Sequence, residues 1–180
     1  YVPLDGMNEC GLCVADLIEI DGEAAHQNTG KTPITTVAAI RLMLDYAANV
    51  DEAIALLQQY DMHSSMNVAH HFALCDTTGK YAVVEYVDNQ LVVTESIACT
   101  NHRLTCSAHP TDTALQPAIS NSHLRLEQLL TAPNSKSLLN SMQDIAFDGW
   151  TRWSVIFNPN QKQATYYFNA DFSTPYTIEL

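Results

Sequence analysis

The spacing of apolar residues changes along this chain, and the change limits the folds it can adopt. Between residues 33 and 59 the apolar side chains recur every three or four positions, which predicts two successive amphipathic helices. The first helix spans residues 33–48, with Pro33 suited to its first turn, and its apolar face carries Ile34, Val37, Ile40 and Leu44. Asp51 is predicted to cap the second helix, which ends at Gln59.

Beyond His63 the period becomes that of strands. Apolar and polar residues alternate over residues 71–76, 80–87 and 91–96, with turn-forming residues between them at 77–79 and 88–90. This pattern predicts an antiparallel meander, because short turns join neighbouring strands that run in opposite directions. Its predicted buried positions are Ala73, Val83 and Val92.

The remaining segments complete an α+β pattern. A strand is predicted over residues 10–20 and a loop over 21–31, and Pro110 and Pro117 bracket a second loop. The predicted helices are 122–130 and 135–145, and the predicted terminal hairpin joins strands 153–157 and 164–168. We therefore predict a single layered α+β domain over residues 1–180.

The charge of the chain excludes some partners. The formal net charge is -12, and the eight basic residues form no run, so nucleic acids and anionic membranes are poor candidate partners. No apolar segment approaches the roughly 20 residues of a membrane-spanning helix.

Five cysteines are scattered along the chain, and Cys10 and Cys13 form a C-x-x-C pattern. The pattern is compatible with half a zinc site or with a redox pair, but no second pair of ligands accompanies it. Apolar residues at Leu12, Val14 and Leu17 instead favour a strand in which cysteine acts as a small hydrophobic residue. The odd number of cysteines favours a reducing compartment, so we expect a cytoplasmic protein.

Four short motifs occur in order along the chain. The opening letters DGMNECGL at residues 5–12 resemble the D-G-M-N-E-x-G-L segment of the choloylglycine hydrolase family, whose members hydrolyse linear amide C–N bonds. HFALCD at 71–76, with TGK at 78–80 and VVEY at 83–86, resembles its H-F-x-x-x-D-x-x-G-K-x-x-V-V-E-Y hairpin. CTN at 99–101 and WSVIF at 153–157 resemble two further elements, and the order of the pieces makes the match specific.

The resemblance implies the fold of the N-terminal-nucleophile hydrolases, in which two stacked antiparallel sheets lie between helix layers (αββα). In that family an N-terminal cysteine attacks the amide carbonyl, and its own α-amine, with a pKa of about 7.7–8, accepts the thiol proton. The matching segment here follows almost at once after Tyr1. We therefore expect the nucleophile, and the first strands of the fold, to lie upstream of this sequence.

Three residues match the catalytic positions of the family. The resemblance makes the backbone N–H of Asn8 and the side-chain amide of Asn101 the donors to the oxyanion of the tetrahedral intermediate. Arg125 matches an arginine that supports the nucleophile, although the aromatic residue that follows it in the family is absent here. The alternative for Arg125 is an ordinary surface partner of Glu127 or Asp112.

The remaining histidines and acidic residues do not indicate a metal site or a further catalytic group. His70 and His71 would face opposite sides of a strand, so with His102 they do not make a metal cluster, and we predict no metal and no cofactor. Asp76 and Glu85 are predicted to lie on a solvated hairpin face.

The sequence therefore predicts an enzyme that hydrolyses linear, non-peptide amides in the manner of bile-salt hydrolases or penicillin V acylases. An acyltransferase similar to the isopenicillin N enzyme, or a non-catalytic remnant that acts as a binding module, remains an alternative. The expected partner is a small-molecule amide, and this chain alone is expected to be inactive. A homo-oligomer, or association with the upstream segment, is expected through the region that begins with Cys10, Leu12, Val14 and Leu17.

Overall fold

The computed structural model describes residues 3–105, 121–131, 137–146 and 149–180. The loop predicted between Pro110 and Pro117 lies outside the described residues, as does the start of the helix predicted from residue 135. The strands are β1 (Asp5–Met7), β2 (Cys13–Glu19), β3 (Thr32–Thr35), β4 (Tyr60–His63), β5 (Ala69–Cys75), β6 (Tyr81–Val87), β7 (Gln90–Thr94), β8 (Trp153–Asn158), β9 (Gln163–Phe168) and β10 (Asp171–Glu179). The α-helices are α1 (Thr36–Tyr46), α2 (Val50–Leu57), α3 (Ser122–Thr131) and α4 (Leu138–Ile145), and residues Ser65–Asn67 form one 3-10 turn.

Two antiparallel sheets dominate the described part of the chain. One has five strands in the order β1-β2-β5-β6-β7, and the other has three in the order β10-β9-β8. The predicted meander is confirmed as β5, β6 and β7, and the predicted terminal hairpin is β8 and β9. These elements confirm the α+β class.

The region around α1 differs from the sequence prediction. Residues Thr32–Thr35 form β3, which pairs in parallel with β4, so Pro33 is a strand residue and not the first turn of the helix. The helix begins only at Thr36, because Thr35 accepts a side-chain hydrogen bond from Ala38 N–H and so caps the helix.

The cap of α2 also differs from the prediction. Asn49, and not Asp51, is the N-cap, because its side chain accepts from the backbone N–H of Glu52 at 3.0 Å. The Glu52 carboxylate in turn accepts from Ala48 N–H at 2.8 Å, which gives a reciprocal arrangement similar to a capping box. Asp51 lies in the first turn, where its charge favours the helix dipole.

One face of the five-stranded sheet packs against α1 and α2 and forms the apolar core. Side chains from alternate strand positions meet those of the two helices with almost no exposed area. The core includes Leu12, Val14, Phe72, Leu74 and Val84 from the sheet and Ile40, Met43, Val50 and Leu57 from the helices. Leu12 and Val14 are therefore buried beneath the helices and do not border an open surface, contrary to the expectation for that region.

The opposite face of the five-stranded sheet is lined by smaller side chains. Ala15, Ala73 and Val83 face a cavity of about 520 Å³, whose far side is formed by residues of α3, α4 and β8. The sheets are also linked at one end, where Trp153 Nε1 of β8 donates to Asp5 Oδ2 of β1 at 2.7 Å. The second face is thus a partly open space between layers, and it is where the candidate site lies.

Candidate functional site

A buried polar cluster lies on the second face of the five-stranded sheet. Glu19, His71 and Glu85 come from three neighbouring strands, and their side chains are fully buried or nearly so, with residue exposures of 3%, 0% and 0%. His71 Nδ1 lies 3.4 Å from Glu85 Oε1 and 3.9 Å from Glu19 Oε1. Buried charges need partners, and here the imidazole stands between two carboxylates.

The two carboxylates of the cluster differ in their electrostatic environment. Burial raises the pKa of Glu19, although His71 and Arg103 oppose that shift. Burial also acts to raise the pKa of Glu85, but hydrogen bonds from His71 and from Leu104 N–H outweigh it and hold the pKa below its usual value. Glu85 is therefore the more firmly ionised of the pair.

The cluster anchors the irregular segment that follows Thr100. Arg103 Nε donates to Glu19 Oε2 at 3.3 Å, and Leu104 N–H donates to Glu85 Oε1 at 2.6 Å. The backbone N–H of Arg103 also donates to Asp21 Oδ1 at 2.8 Å. A segment without regular structure is thus held by charge-assisted hydrogen bonds at successive residues, which limits its movement.

Asn101 lies in this segment, with its polar groups in defined positions. Its carbonyl accepts from Ile20 N–H at 2.9 Å, and its side-chain Nδ2 donates to Ile18 O at 3.1 Å. Arg125 Nη2 donates to its Oδ1 at 2.9 Å, and this contact fixes which end of the amide is the donor. Because an amide nitrogen carries two hydrogens, a second remains to be donated to a substrate oxygen.

Arg125 reaches Asn101 from α3. Its Nε donates to Asn121 Oδ1 at 3.2 Å, and burial lowers the pKa of its guanidinium. The structure therefore brings together two of the three residues that the resemblance pointed to, Asn101 and Arg125, and gives Arg125 a defined partner in the site.

Asn8 lies elsewhere. Its side-chain Nδ2 donates to Leu44 O at 3.0 Å and to Ala47 O at 2.7 Å, at the end of α1. Its Oδ1 accepts from Cys10 N–H and Leu12 N–H, and its own backbone N–H donates to Leu12 O at 3.0 Å. These contacts make Asn8 the organiser of the turn that leads into β2.

The length of β2 separates Asn8 from Asn101. Asn8 contacts the residues just before the strand, whereas Asn101 contacts Ile18 and Ile20 at its other end. At about 3.3 Å per residue the two contact points are roughly 20 Å apart, too far to donate to one oxygen atom. The structure does not bring the predicted pair of oxyanion donors together.

A second group of polar residues supports Asn101 and was not predicted from the sequence. Thr100 Oγ1 donates to Ser122 O at 2.9 Å, and His102 Nδ1 lies 2.9 Å from Ser122 Oγ. The ring of His102 also lies against that of His123, with centroids 3.6 Å apart. Burial and the neighbouring His123 lower the pKa of His102 to about 4, so His102 is neutral near pH 7 and ties the loop to α3 through hydrogen bonds.

The apolar cavity continues directly from the polar cluster. Leu17, Ala73 and Val83 line the cavity. Each lies two positions along its strand, and so on the same face, from one member of the cluster: Leu17 from Glu19, Ala73 from His71 and Val83 from Glu85. Its rim carries Ala98 and Cys99, which precede Thr100 and Asn101 along the chain, and α4 closes it with Leu138, Met142 and Ile145. One sheet face therefore offers an apolar space at one end and hydrogen-bonding groups at the other.

The residues of the cluster are of types that bind metal ions. The possible ligand atoms of Glu19, His71 and Glu85 lie within 4.8 Å of one another. Arg103 lies 3.3 Å from Glu19 and already supplies positive charge, which disfavours an added cation. His70 faces the other side of the sheet as predicted, where it contacts Asp16 at 3.1 Å.

Two predictions about acidic residues were wrong. Asp76 and Glu85 were expected on a solvated hairpin face, but their residue exposures are 6% and 0%. Asp76 accepts from Val50 N–H of α2 and from Thr78, while Glu85 belongs to the cluster. Backbone N–H groups of Val50 and Leu104, which come from other segments of the chain, donate to the two carboxylates, and the strand pattern alone carries no sign of these partners.

Comparison with known proteins identifies the relatives of this chain. The sequence profile of the acyl-coenzyme A:6-aminopenicillanic acid acyl-transferase family matches residues 3–171. The chain belongs to this family. A penicillin V acylase from Pectobacterium atrosepticum is 34% identical over 102 residues, an alignment that covers 51% of this chain and 27% of that protein.

Solved structures show the same fold. Crystal structures of two variants of the conjugated bile acid hydrolase from Clostridium perfringens match with TM-scores of 0.66 and 0.67, at 17% identity, over 99% of this chain and 73% of theirs. Penicillin V acylase from Agrobacterium tumefaciens matches with a TM-score of 0.63, at 18% identity, over 98% of this chain and 65% of its own. These likenesses confirm the predicted N-terminal-nucleophile hydrolase fold. No helix in the described ranges is long and apolar enough to span a bilayer.

Proposed function

We propose that the complete protein hydrolyses a linear amide whose acyl group is apolar, and that this chain supplies the acyl pocket and an oxyanion donor. The observation that carries the proposal is the single sheet face that joins an apolar cavity to the anchored Asn101–Arg125 pair. Two relatives are named penicillin V acylase and conjugated bile acid hydrolase, and these names support an amide substrate for the present protein.

In this proposal the nucleophile is a cysteine thiolate from residues upstream of Tyr1. The thiolate attacks the amide carbonyl, whose oxygen becomes an oxyanion that accepts the second Nδ2 hydrogen of Asn101. The amine then leaves with a proton, and water hydrolyses the thioester to release the acid and the thiol. Arg125 holds the Asn101 amide in the donor orientation, and the chain without the nucleophile is inactive.

Asn8 has a structural role in this proposal, because its backbone N–H donates to Leu12 O and both polar atoms of its side chain are engaged around the turn before β2. A second oxyanion donor then has to come from a group near Asn101.

The test is the activity of the complete protein on penicillin V and on a glycine-conjugated bile acid. We expect release of the free amine from at least one substrate, and Asn101→Ala to lower kcat about 100-fold to 1000-fold while the protein stays folded. Arg125→Ala, which removes the contact to Asn101 Oδ1 but leaves the one from Nδ2 to Ile18 O, is expected to lower kcat by a smaller factor. No amide cleavage with either substrate, or full activity in Asn101→Ala, would contradict the proposal.

Acyl transfer is the second candidate, and the name of the matching family favours it. In that reaction an amine replaces water as the acceptor of the acyl group from the thioester. Adding 6-aminopenicillanic acid and an acyl-coenzyme A to the complete protein distinguishes the two, since a transferase forms a new penicillin and a hydrolase releases only the acid. A protein that binds these amides without converting them would support the binding-module alternative.

Self-association remains a prediction, and exposed aromatic residues of the three-stranded sheet support it. Trp153, Phe168 and Tyr176 are 41%, 45% and 55% exposed, and their registers place them on one face. Solution scattering and sedimentation of the complete protein test this, and a monomer at high concentration would contradict it.

A further inference from the structure

Cys13 and Cys75 are direct neighbours on adjacent strands. They are paired in the antiparallel register of β2 and β5, and both line the cavity on the second face of the sheet. Asp16 N–H donates to Leu4 O on the β1 side, so the odd-numbered residues of β2 direct their backbone groups toward β5. Cys13 and Cys75 are therefore a hydrogen-bonded pair, for which Cα atoms lie about 5.5 Å apart. That separation falls within the range that a disulfide bridges.

The two thiols are not equivalent. Cys75 is exposed and Cys13 is buried, with 5% of its surface accessible. A hydrogen bond from the Cys13 thiol lowers the pKa of Cys75 to about 7, while the same contact and burial raise the pKa of Cys13. Near neutral pH an accessible thiolate thus lies beside a protonated thiol, the arrangement of an attacking and a resolving cysteine.

The other described cysteines lack this arrangement. Cys10 lies in the exposed turn before β2, so the C-x-x-C pattern seen in the sequence does not form the pair that the sheet forms. Cys99 lines the same cavity, but burial raises its pKa to about 12. A buried thiol with a raised pKa is a poor nucleophile.

We propose that Cys13 and Cys75 are a redox-active pair that reacts with low-molecular-weight disulfides of the glutathione type and closes to a cross-strand disulfide. The Cys75 thiolate attacks one sulfur of the disulfide, which gives a mixed disulfide and releases one thiolate. The Cys13 thiol then attacks the Cys75 sulfur, its proton passes to the departing thiolate, and the second half of the added disulfide leaves as a thiol. The added disulfide is thereby reduced to one thiolate and one thiol, and the thiolate and thiol of the protein become a disulfide with the loss of one proton.

The reaction modifies the floor of the cavity. Both sulfur atoms lie among its lining residues, so closing the bond changes the shape of the space that faces α4 and β8. The inference depends on the strand register and does not depend on the proposed amidase activity.

The experiment treats the complete protein with glutathione disulfide at pH 7.5, blocks the remaining thiols with iodoacetamide and maps tryptic peptides by mass spectrometry. We expect a linked pair of peptides, one ending at Lys31 and carrying Cys13, the other ending at Lys80 and carrying Cys75. Cys13→Ser should stop at a glutathione adduct on Cys75, and Cys75→Ser should leave Cys13 unmodified. Cys10→Ser and Cys99→Ser are matched controls that should form the same link as the unmodified protein.

The pH dependence of cysteine alkylation is a second test, and it does not require oxidation of the protein. The rate of alkylation of Cys75 should reach half its maximum near pH 7 in the unmodified protein and shift toward the ordinary cysteine value of about 8.5 in Cys13→Ala. A link between Cys10 and Cys13, no link at all, or an alkylation profile that Cys13→Ala leaves unchanged would overturn the proposal.

Discussion

The two faces of the five-stranded sheet differ in the size, packing and charge of their side chains. The face under α1 and α2 carries large apolar side chains such as Phe72 and Leu74, and they are buried almost completely. The opposite face carries small side chains such as Ala15 and Ala73, a cavity, and a buried cluster of charges. Close packing on the first face stabilises the fold, whereas the second face is loosely packed and offers space and hydrogen-bonding groups. The same strands supply both, because successive side chains alternate between the faces.

Truncation of a core residue on the helix-covered face should have the largest effect on stability. Phe72→Ala removes a ring that is 1% exposed between the sheet and the helices, and we expect a loss of about 3–5 kcal/mol in the free energy of unfolding. Urea unfolding of the complete protein measures it. Phe168→Ala, at a site 45% exposed, is the matched control and should change stability by about 1 kcal/mol or less.

Substitution of Asp76 tests whether hydrogen bonds, as well as apolar packing, hold the helix layer against the sheet. Its carboxylate accepts from Val50 N–H at 3.0 Å and from Thr78 N–H at 2.8 Å, and these buried bonds join α2 to the β5–β6 turn. Asp76→Ala should destabilise the protein by about 3 kcal/mol, since it leaves buried donors without an acceptor.

The contribution of Asp76 should depend on pH. Burial acts to raise the pKa of Asp76, but its hydrogen bonds outweigh burial and lower it. The contribution to stability is therefore present above the unfolded-state pKa of about 3.9 and is lost as the pH falls through the lower folded-state value. Unfolding curves between pH 7 and pH 2 should show the difference between Asp76→Ala and the unmodified protein shrink on acidification.

Substitution of Asn8 tests whether its side chain stabilises the fold or takes part in catalysis. Asn8→Ala should lower the free energy of unfolding by about 2 kcal/mol, because it leaves two backbone carbonyls of α1 and two N–H groups of the following turn without partners. The folded variant should keep its kcat. Asn140→Ala, on the exposed side of α4, should change neither quantity. Because alanine keeps the backbone N–H, this variant tests the side chain alone, and a folded Asn8→Ala enzyme with kcat reduced 100-fold would show that the Asn8 side chain acts in the site.

The smallest effect on stability is expected on the cavity side. Leu17→Ala and Leu74→Ala remove the same atoms from opposite faces of neighbouring strands, but only Leu74 is fully packed. Leu74→Ala should cost about 2–5 kcal/mol, and Leu17→Ala about 1 kcal/mol or less, with its main effect a change in KM. Equal losses of stability would mean that the two faces are equally packed.

The sequence predicted many of the helices and strands but only part of the candidate site. Local periodicity is enough to find the β5–β7 meander and the helix of residues 122–131, because each is specified by its own side chains. It misses β3, since a parallel pair with β4 depends on a strand 28 positions further along the chain, as Thr32 pairs with Tyr60. Long-range pairing has no local signature.

Prediction of the candidate site from the sequence was limited in the same way, by contacts between distant segments. The resemblance pointed to Asn101 and Arg125, and the structure places their side chains in contact, while their catalytic role stays a prediction. The Glu19–His71–Glu85 cluster was not found, because each member comes from a different strand and reads as an ordinary polar strand position. The alternation of faces could have suggested it, since Leu17, Ala73 and Val83 share their face with these three residues.

The hydrogen bond between Asp5 and Trp153 has a consequence for how the chain folds. It joins groups 148 positions apart, so the chain must be made through Trp153 before this contact between the sheets can form. During synthesis β1 can pair with β2 early, because only a short turn separates them, whereas its link to β8 waits until residues 153–158 have been made. Attachment of the three-stranded sheet therefore follows formation of the five-stranded sheet, and the second face stays open to solvent until that attachment is complete.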